Sequence, residues 1–524
     1  MFTHLQTVSG YSARYGVAHP AALAQRAAER GMDALALTDR DTVAGIVRFA
    51  KASAEAGIRP LFGVDLAVPA YLDSGEPLTA ARVRTPVRGG AFVDESAPRA
   101  VFLARNRAGW AALEAAATAD GLFVLLGPES EPLRALAQGR PDRAQRLLAP
   151  WQRLFPGWLR LAAVHHGRPG SGPGSLRLAA RTAGFAMELQ VPAVLTNQVR
   201  YADPDQRELA DVLDAARLLT PIDPRRPERL DGGQGWLKDP VDMARLAEQV
   251  ADAAGQGPGG ARALLAATEQ TADGCRVDVH EDLGMGTIHF PEAHLVADPR
   301  RTPDRVLRSL CDAQMVIRRY DRDRVRWERL QAELRTIRVL WFATYFLTVG
   351  QVVVDTRAAG IRVAARGSGA GSFVAHLLGI ATADPVEHGL IMERFLSVRR
   401  RKMPDIDIDV ESARRLEVYR LIMDRFGAAR TATLAMPETY RVRHAVRDTG
   451  AALSLDPDLV DRLAKAFPHI RARDARSPCP PPTPTLPRRR PGCRTWTATS
   501  ACRPNSASWA WTPPGTSWTT TAPC

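Results

Sequence analysis

Strand-like and helix-like patterns alternate through the first two hundred residues. Residues 33–37 and 60–68 are apolar and strand-like. One helical pattern follows His19-Pro20, and another covers residues 42–56. Further strand-like runs follow a Gly- and Pro-bearing loop near 78–99, at 100–103, 122–126, 159–164 and 193–196. Such alternation is typical of an α/β fold, because each crossover helix returns the chain to start a parallel neighbour. The pattern therefore predicts a parallel sheet or barrel.

A row of acids marks a second region. Residues 403–412 read MPDIDIDVES, in which acidic and β-branched residues alternate. A period of two predicts a strand with Asp405, Asp407 and Asp409 on one face. Carboxylates this close repel each other unless a cation lies among them, and Mg²⁺ is a usual partner for oxygen ligands. A solvated acidic edge or an incidental Ca²⁺ site would give the same pattern.

A glycine-serine run precedes the acids. Residues 366–372 read RGSGAGS and stand between a strand-like run and a helix-like run that begins at Phe373. Glycines allow a tight turn whose amides approach an anion, and a helix N-terminus adds partial positive charge. This pattern predicts a cradle for a triphosphate, although a flexible linker has a similar composition. The cationic run RRRK follows at 399–402; its alternative is a solvated turn.

Two further motifs accompany these, MERFL at 392–396 and LWFATYFL at 340–347. Together the motifs resemble the palm of the C-family bacterial DNA polymerases, the alpha subunit of DNA polymerase III. The resemblance extends from about residue 2 to about residue 476. Residues 7–11 and 38–40 are similar to the error-prone branch, which serves damage-induced synthesis and repair. The resemblance implies an enzyme, a DNA-directed DNA polymerase that transfers nucleotides to a primer 3′-hydroxyl with two Mg²⁺. Its partners would be a DNA primer-template, deoxynucleoside triphosphates and, in a full-length parent, other replication or translesion proteins.

The resemblance assigns roles to individual residues. The catalytic residues, which are also the metal ligands, are Asp407 and Asp409. The nucleotide-binding residues are Arg366, Gly367, Ser368, Gly369, Gly371 and Ser372. Weak DNA contacts are expected from Arg399, Arg400, Arg401 and Lys402.

The N-terminal part resembles the polymerase and histidinol phosphatase (PHP) domain, a distorted α/β barrel that opens C-family polymerases. Active PHP domains bind up to three metals through His, Asp and Glu at strand ends. The matching positions here are mostly occupied by other residues, namely Gln6, Val8, Arg40, Asp65 and Arg200. The side chains that could still act as ligands are His4, Asp39, His165 and His166. We expect a structural barrel; the alternative is a metal-dependent phosphoesterase.

The resemblance and the composition together predict four parts. They are a PHP-like barrel at 1–275, a partial nucleotidyltransferase-like palm at 285–435, a partial helical thumb at 436–476 and a tail at 477–524. The tail has no Asp or Glu but holds four of the six cysteines and four of the ten tryptophans, a composition that indicates disorder and a shifted reading frame near Arg476. The family's third carboxylate and its fingers come later, so the expectation is an inactive chain. The non-enzymatic alternative is a truncated product that binds nucleotide or DNA weakly.

Charge and hydropathy narrow the possible partners. The net charge of +13 favours a polyanion such as nucleic acid. The sequence contains neither a run of about twenty apolar residues nor a secretory signal pattern, so we expect a cytoplasmic protein without a membrane partner. Residues 303–353 are predicted to be mainly helical, and the acid-base alternation of 318–335 is typical of a solvated helix face. Cys275 and Cys311 are expected to be buried thiols.

Overall fold

The computed structural model describes residues 2–68, 85–86, 92–93, 96–115, 120–226, 229–287, 289–297, 300–398, 404–427, 430–432 and 439–467. The chain divides into two compact units, unit 1 (Met1–Met285 and Met436–Cys524) and unit 2 (Gly286–Ala435). The predictions for residues 399–402 and for the tail at 477–524 lie outside the described residues.

The strands are β1 (Ala34–Arg40), β2 (Arg59–Ala67), β3 (Thr85–Pro86), β4 (Phe92–Val93), β5 (Arg99–Ala104), β6 (Leu122–Leu126), β7 (Leu159–Ala163), β8 (Ala193–Leu195), β9 (Val363–Arg366) and β10 (Asp407–Val410). The helices of the N-terminal part are α1 (Pro20–Glu29), α2 (Ile46–Ala56), α3 (Arg107–Ala115), α4 (Glu131–Ala137), α5 (Pro141–Leu154), α6 (Leu176–Glu188), α7 (Arg207–Leu218), α8 (Pro240–Ala253) and α9 (Gly257–Asp273). The later helices are α10 (Pro303–Ile317), α11 (Arg324–Val339), α12 (Ala343–Ala358), α13 (Phe373–Leu377), α14 (Arg415–Phe426), α15 (Val442–Ala452) and α16 (Pro457–Ala466).

Unit 1 is built on a six-stranded sheet with the order β1-β2-β5-β6-β7-β8. β1 pairs with β2, β6 with β7 and β7 with β8 in parallel, as the alternation predicts. β5 runs antiparallel to both β2 and β6, so the sheet is mixed rather than wholly parallel. Side chains alternate between the two faces of a strand whichever way it runs, so the apolar pattern does not fix the direction of β5.

The segment before β1 links the two edges of this sheet. On one side, the Ala36 amide donates to the His4 carbonyl at 3.0 Å, and the Thr38 amide donates to the Thr7 carbonyl at 2.7 Å. On the other side, the Val199 amide donates to the Gln6 carbonyl at 3.0 Å. Both contacts are parallel bridges. The sheet is therefore closed through this segment, and the predicted α/β barrel is confirmed.

Unit 1 also contains the last described helices. The Ile222 amide, just beyond α7, donates to the Ala452 carbonyl at the end of α15 at 2.8 Å. Gly450 of α15 lies close against Val460 of α16, where a Cβ on the glycine would meet the valine side chain at 2.4 Å. α15 therefore packs against the barrel's own α7 as well as against α16.

The core of unit 2 forms among α10, α11, α12 and α13, and β9 and β10 pack against it. Its largest fully buried side chains include Phe346, Phe373 and Phe395. The three long helices agree with the helical prediction for 303–353. Cys311 is buried here and Cys275 is buried in unit 1, as predicted.

Within the described ranges, no single helix is long and apolar enough to cross a membrane. The pair α11 and α12 passes that test only jointly, with a bend of 113° between the two helices. Buried residues of both helices, such as Ile337 and Phe346, belong to the core of unit 2.

Candidate nucleotidyl-transfer site

β10 places its acids and its apolar residues on opposite faces. Ile406 and Ile408 pack against the core of unit 2, whereas Asp407 and Asp409 are exposed. The strand begins at Asp407, so Asp405 precedes it in the chain. Asp405 is also exposed. The predicted acidic face is therefore present, with two of its three carboxylates on regular strand.

β9 runs antiparallel to β10 and brings the start of the glycine run beside the acids. Asp407 is paired in register with Arg366, and Asp409 with Ala364. The Arg366 Nε atom lies 3.3 Å from Asp409 Oδ1, and these side chains are 68% and 63% exposed. An ion pair this exposed contributes little stability, so its carboxylate remains open to a stronger cation.

The glycine run is a short 3-10 turn, Gly367–Gly371, that passes closely against β10 and its approach. Gly367 has a φ of +71°, and a Cβ at this position would lie 3.3 Å from Asp407 Oδ2. A side chain here would therefore be strained and would crowd the carboxylate. The turn lines a cleft of about 450 Å³ together with Ile391 and Arg394.

The N-terminus of α13 is already bound to an anion that belongs to this chain. Glu333 of α11 is 1% exposed and accepts hydrogen bonds from the Phe373 amide at 3.0 Å and the Val374 amide at 3.1 Å. It also accepts from the Ser372 hydroxyl at 2.9 Å, and Ser372 Oγ in turn accepts from the Ala375 amide at 3.2 Å. The first amides of this helix therefore already have partners within the chain, and the cradle predicted for residues 366–372 stays a prediction. The Gly367–Gly371 turn is left as the candidate cradle.

Sequence reasoning missed Glu333, although one signal was present. Glu333 follows Leu330 by three residues and precedes Ile337 by four, and both of these are buried core residues on the same face of α11. An acid on an apolar face needs a partner, and Arg329 Nε supplies one at 2.6 Å. The first amides of α13 supply further partners. They are 40 and 41 residues away in sequence, so a local sequence pattern does not indicate them.

Tyr345 of α12 fixes the approach to β10. Its hydroxyl accepts a hydrogen bond from the Ile406 amide at 3.0 Å. Burial raises the pKa of Tyr345, and the neighbouring charges of Asp405 and Asp407 raise it further. The phenol therefore stays protonated at neutral pH and holds the backbone between two of the acids.

The described residues supply two candidate ligands for a metal ion. Asp407 and Asp409 offer hard oxygen donors on one exposed face, which is the type of ligand that Mg²⁺ prefers. Among the residues that the structure describes, no group of three or more His, Cys, Asp and Glu side chains is placed to hold a metal ion.

Arginines occupy two of the barrel positions at which a metal ligand is expected to be missing, Arg40 and Arg200. Tyr15 lies between Arg40 and Arg200, whose guanidinium carbons are 3.5 Å and 4.1 Å from the centre of its ring. Arg40 pairs with Glu129 at 2.8 Å, and Arg200 pairs with Asp214 at 2.8 Å. The acids around this stack are thus neutralised by arginine.

The remaining candidate ligands of the barrel also have partners. Asp39 accepts hydrogen bonds from the Ser9 amide and the Ser12 hydroxyl, and Asp65 accepts one from Arg99. Burial raises the pKa of Asp65 to about 6 despite the arginines beside it.

The histidines bond to the backbone of the barrel. His4 Nε2 donates to the Lys238 carbonyl at 2.8 Å, and His166 Nε2 donates to the Asn197 carbonyl at 2.9 Å. His165 Nδ1 accepts from the Gly167 amide at 3.3 Å. Burial lowers the pKa of both His4 and His166 to about 4, so both are neutral at pH 7.

Comparison with known proteins gives two domain matches. Residues 305–480 match the family described as the bacterial DNA polymerase III alpha NTPase domain, and residues 4–158 match the PHP domain. A protein of Symbiobacterium thermophilum named error-prone DNA polymerase is 33% identical over 492 residues, which cover 89% of this chain and 42% of that protein. A Mycobacterium bovis protein of the same name is 32% identical over 498 residues, with the same shares. The chain thus spans less than half the length of these curated relatives.

Among solved structures, an amidohydrolase from Chromobacterium violaceum is similar at 16% identity over 38% of this chain and 88% of that one, with a TM-score of 0.24. A score this low supports no structural argument, and the barrel assignment stands on the PHP match and on the closed sheet.

Proposed function

Because this chain belongs to the C family of bacterial DNA polymerases, we propose that β10 and the turn after β9 form part of a nucleotidyl-transfer site of the error-prone type. The observation that carries the proposal is the antiparallel pairing of β9 with β10, which sets a glycine turn beside two exposed carboxylates. Catalysis of phosphoryl transfer rests on positioning and charge neutralisation, and this arrangement supplies groups for both.

Asp407 and Asp409 are the proposed metal ligands. Both side chains point away from the core, and the only charged partner found for them in the described part of the chain is the exposed Arg366. Bound Mg²⁺ would activate the primer hydroxyl and neutralise charge on the triphosphate. Asp405 has a different place, since it precedes the strand.

The proposed phosphate contacts come from the backbone of the Gly367–Gly371 turn and from Arg366 and Ser368. The absence of a Cβ at Gly367 leaves room between the turn and Asp407. Ser372 has a different role, because its hydroxyl is bonded to Glu333 and to the Ala375 amide and so holds the end of the turn on α13. The DNA contacts of residues 399–402 remain proposals from sequence.

The substrates, the cell compartment, the partners, the role of the barrel and the domain division are also proposals. The substrates would be deoxynucleoside triphosphates and a DNA primer-template, and the cell compartment the cytoplasm, with other replication or translesion proteins as partners. The barrel would be structural, since serines hold Asp39 and backbone carbonyls hold His4 and His166. The division into barrel (1–275), palm (285–435) and thumb (436–476) belongs to the same proposal.

Mn²⁺ titration of the 524-residue chain tests the metal site, with electron paramagnetic resonance reporting free Mn²⁺. We expect Asp407→Asn and Asp409→Asn each to weaken binding at least tenfold, because each removes a charged oxygen ligand. Asp405→Asn is the matched control, with the same change two residues earlier, and should leave affinity within about twofold. Unchanged affinity in both strand variants would refute the assignment.

A further inference from the structure

A cleft between α10 and α11 is lined by arginines and by an exposed tryptophan. Its volume is about 790 Å³, and its lining includes Arg305 and Arg308 of α10 and Arg335 and Arg338 of α11. Trp341, just after α11, also lines it and is 78% exposed. The cleft lies within unit 2 and shares no lining residue with the turn beside β10.

The charges of the cleft are largely uncompensated. Arg335 and Arg338 are one turn apart on the same face of α11, and no carboxylate among the described residues pairs with either. Arg308 Nε lies 3.7 Å from Asp312 Oδ2, a loose and half-exposed pair. Asp304 is the one acid in the described lining. Like charges on two facing helices repel, and a bound polyanion would remove that repulsion.

The start of α10 adds to the positive potential. Thr302 is the N-cap of this helix and also lines the cleft, but its side chain makes no capping hydrogen bond. The first turn of a helix carries partial positive charge. Asp304 lies in this first turn and offsets part of that charge, so the four arginines are the main source of positive potential in the cleft.

Trp341 occupies a backbone position that usually belongs to glycine. Its φ is +63°, and it lies at the left-handed position of the turn that ends α11. The Trp341 amide donates to the Arg338 carbonyl at 3.2 Å, and the Phe342 amide donates to the Ile337 carbonyl at 3.0 Å, the two bonds of a Schellman motif. A bulky residue is unfavourable there, yet the indole does not enter the core. The chain thus accepts strained backbone to hold an aromatic plane in solvent beside the arginines.

We propose that this cleft binds single-stranded nucleic acid, with its phosphates on the four arginines and an unpaired base stacked on Trp341. Stacking on an aromatic side chain requires an accessible base face, which a single strand offers and a duplex hides. Arginine chains flanking an aromatic platform are the usual elements of such sites. The acid-base alternation that indicates a solvated face at 318–335 does not extend to Arg338 and Trp341.

Fluorescence anisotropy of a labelled single strand of about 20 nucleotides tests this proposal on the 524-residue chain, with EDTA present so that no divalent metal contributes. Oligodeoxyuridylate and oligouridylate arms, which carry the same base, tell which sugar is preferred. We expect Trp341→Gly to weaken binding about fivefold or more through lost stacking, although glycine suits this backbone better and should not lower thermal stability. Binding of a duplex of equal length should change less than twofold.

The arginines are tested by a matched pair of double variants. Arg335→Gln with Arg338→Gln removes two charges from the cleft, whereas Arg322→Gln with Arg324→Gln removes two exposed charges outside its lining. The first pair should weaken single-strand binding about tenfold or more. It should also reduce the slope of log affinity against log salt concentration by about one phosphate contact per arginine, and the control pair should change neither quantity.

Equal losses of affinity in the two double variants would mean that the single strand is attracted by the overall positive charge of the chain and not by the cleft, which would overturn the proposal. An unchanged affinity in Trp341→Gly, or an equal loss for duplex, would overturn it as well. Asp407→Asn should leave single-strand binding intact in this assay, so the cleft and the proposed metal site can fail independently.

Discussion

Glu333→Gln is the most direct test of how the glycine turn is held. Glu333 Oε1 accepts from Arg329 Nε at 2.6 Å and from the Phe373 amide at 3.0 Å. Its Oε2 accepts from the Ser372 hydroxyl at 2.9 Å and from the Val374 amide at 3.1 Å. Glutamine has the same shape but only one acceptor oxygen, so its NH₂ group must face donors in either orientation.

The cost follows from these contacts. Two charge-assisted hydrogen bonds are lost, each contributing about 1.5–3 kcal/mol, and the remaining two become weaker. Rotation of the Ser372 hydroxyl recovers part of this. We therefore expect the free energy of opening around α13 to fall by about 3–5 kcal/mol, which is a large part of the stability of a domain.

Hydrogen exchange followed by mass spectrometry measures that opening on a peptide that covers residues 366–378. In Glu333→Gln its amides should exchange about a hundredfold faster or more, since each 1.4 kcal/mol is a factor of about ten. Glu328→Gln is the matched control on the same helix; its partner Arg324 is 91% exposed, so we expect a change below about 0.5 kcal/mol. If the two variants exchange alike, Glu333 does not hold the start of α13.

Two further predictions concern the barrel. Burial lowers the pKa of His4 to about 4, so between about pH 6.5 and pH 4 this histidine gains a proton only in the unfolded chain. The free energy of unfolding should therefore fall by up to about 3 kcal/mol as the pH drops through this window. Urea unfolding should show a shallower dependence on pH in His4→Gln, and equal slopes in the two proteins would contradict this. Arg200→Met removes a charged partner from Asp214 and from Asp231 and should lower the free energy of unfolding by about 3 kcal/mol. Asp214 then keeps Arg217, and Asp231 keeps the Tyr201 hydroxyl and the Gly233 amide. Arg207→Met, whose exposed guanidinium is 3.9 Å from Asp211, should cost under about 0.5 kcal/mol, and an equal loss in both would refute the buried pairing.

The sequence predicted the features that depend on local periodicity. The alternation at β10 follows from the pleat of a strand, and a parallel sheet or barrel follows from the repeated strand and helix patterns. The choice of a barrel came from the resemblance to the PHP domain. The direction of β5 could not be predicted, because a strand's side-chain pattern is the same in either direction.

The role of Glu333 was hidden for a related reason. Its partners Phe373 and Val374 are distant in sequence, and only the packing of α11 against α13 brings their amides to the carboxylate. Trp341 illustrates a third limit, since no composition or period indicates that this residue has a φ of +63°. Burial partners and backbone strain are set by the tertiary fold, and single-sequence patterns report neither.

The segment before β1 has a consequence for synthesis on the ribosome. Its backbone groups pair on one side with β1, which is made almost at once, but on the other side with Val199. At about 5–20 residues per second, the ribosome needs on the order of 10 to 40 s to reach that partner. Until then the nascent barrel has an open seam between apolar strands, which exposes unpaired amides to other chains. The backbone groups of this segment therefore wait for their second partner until Val199 has been made, and any delay in translation before Val199 lengthens that wait.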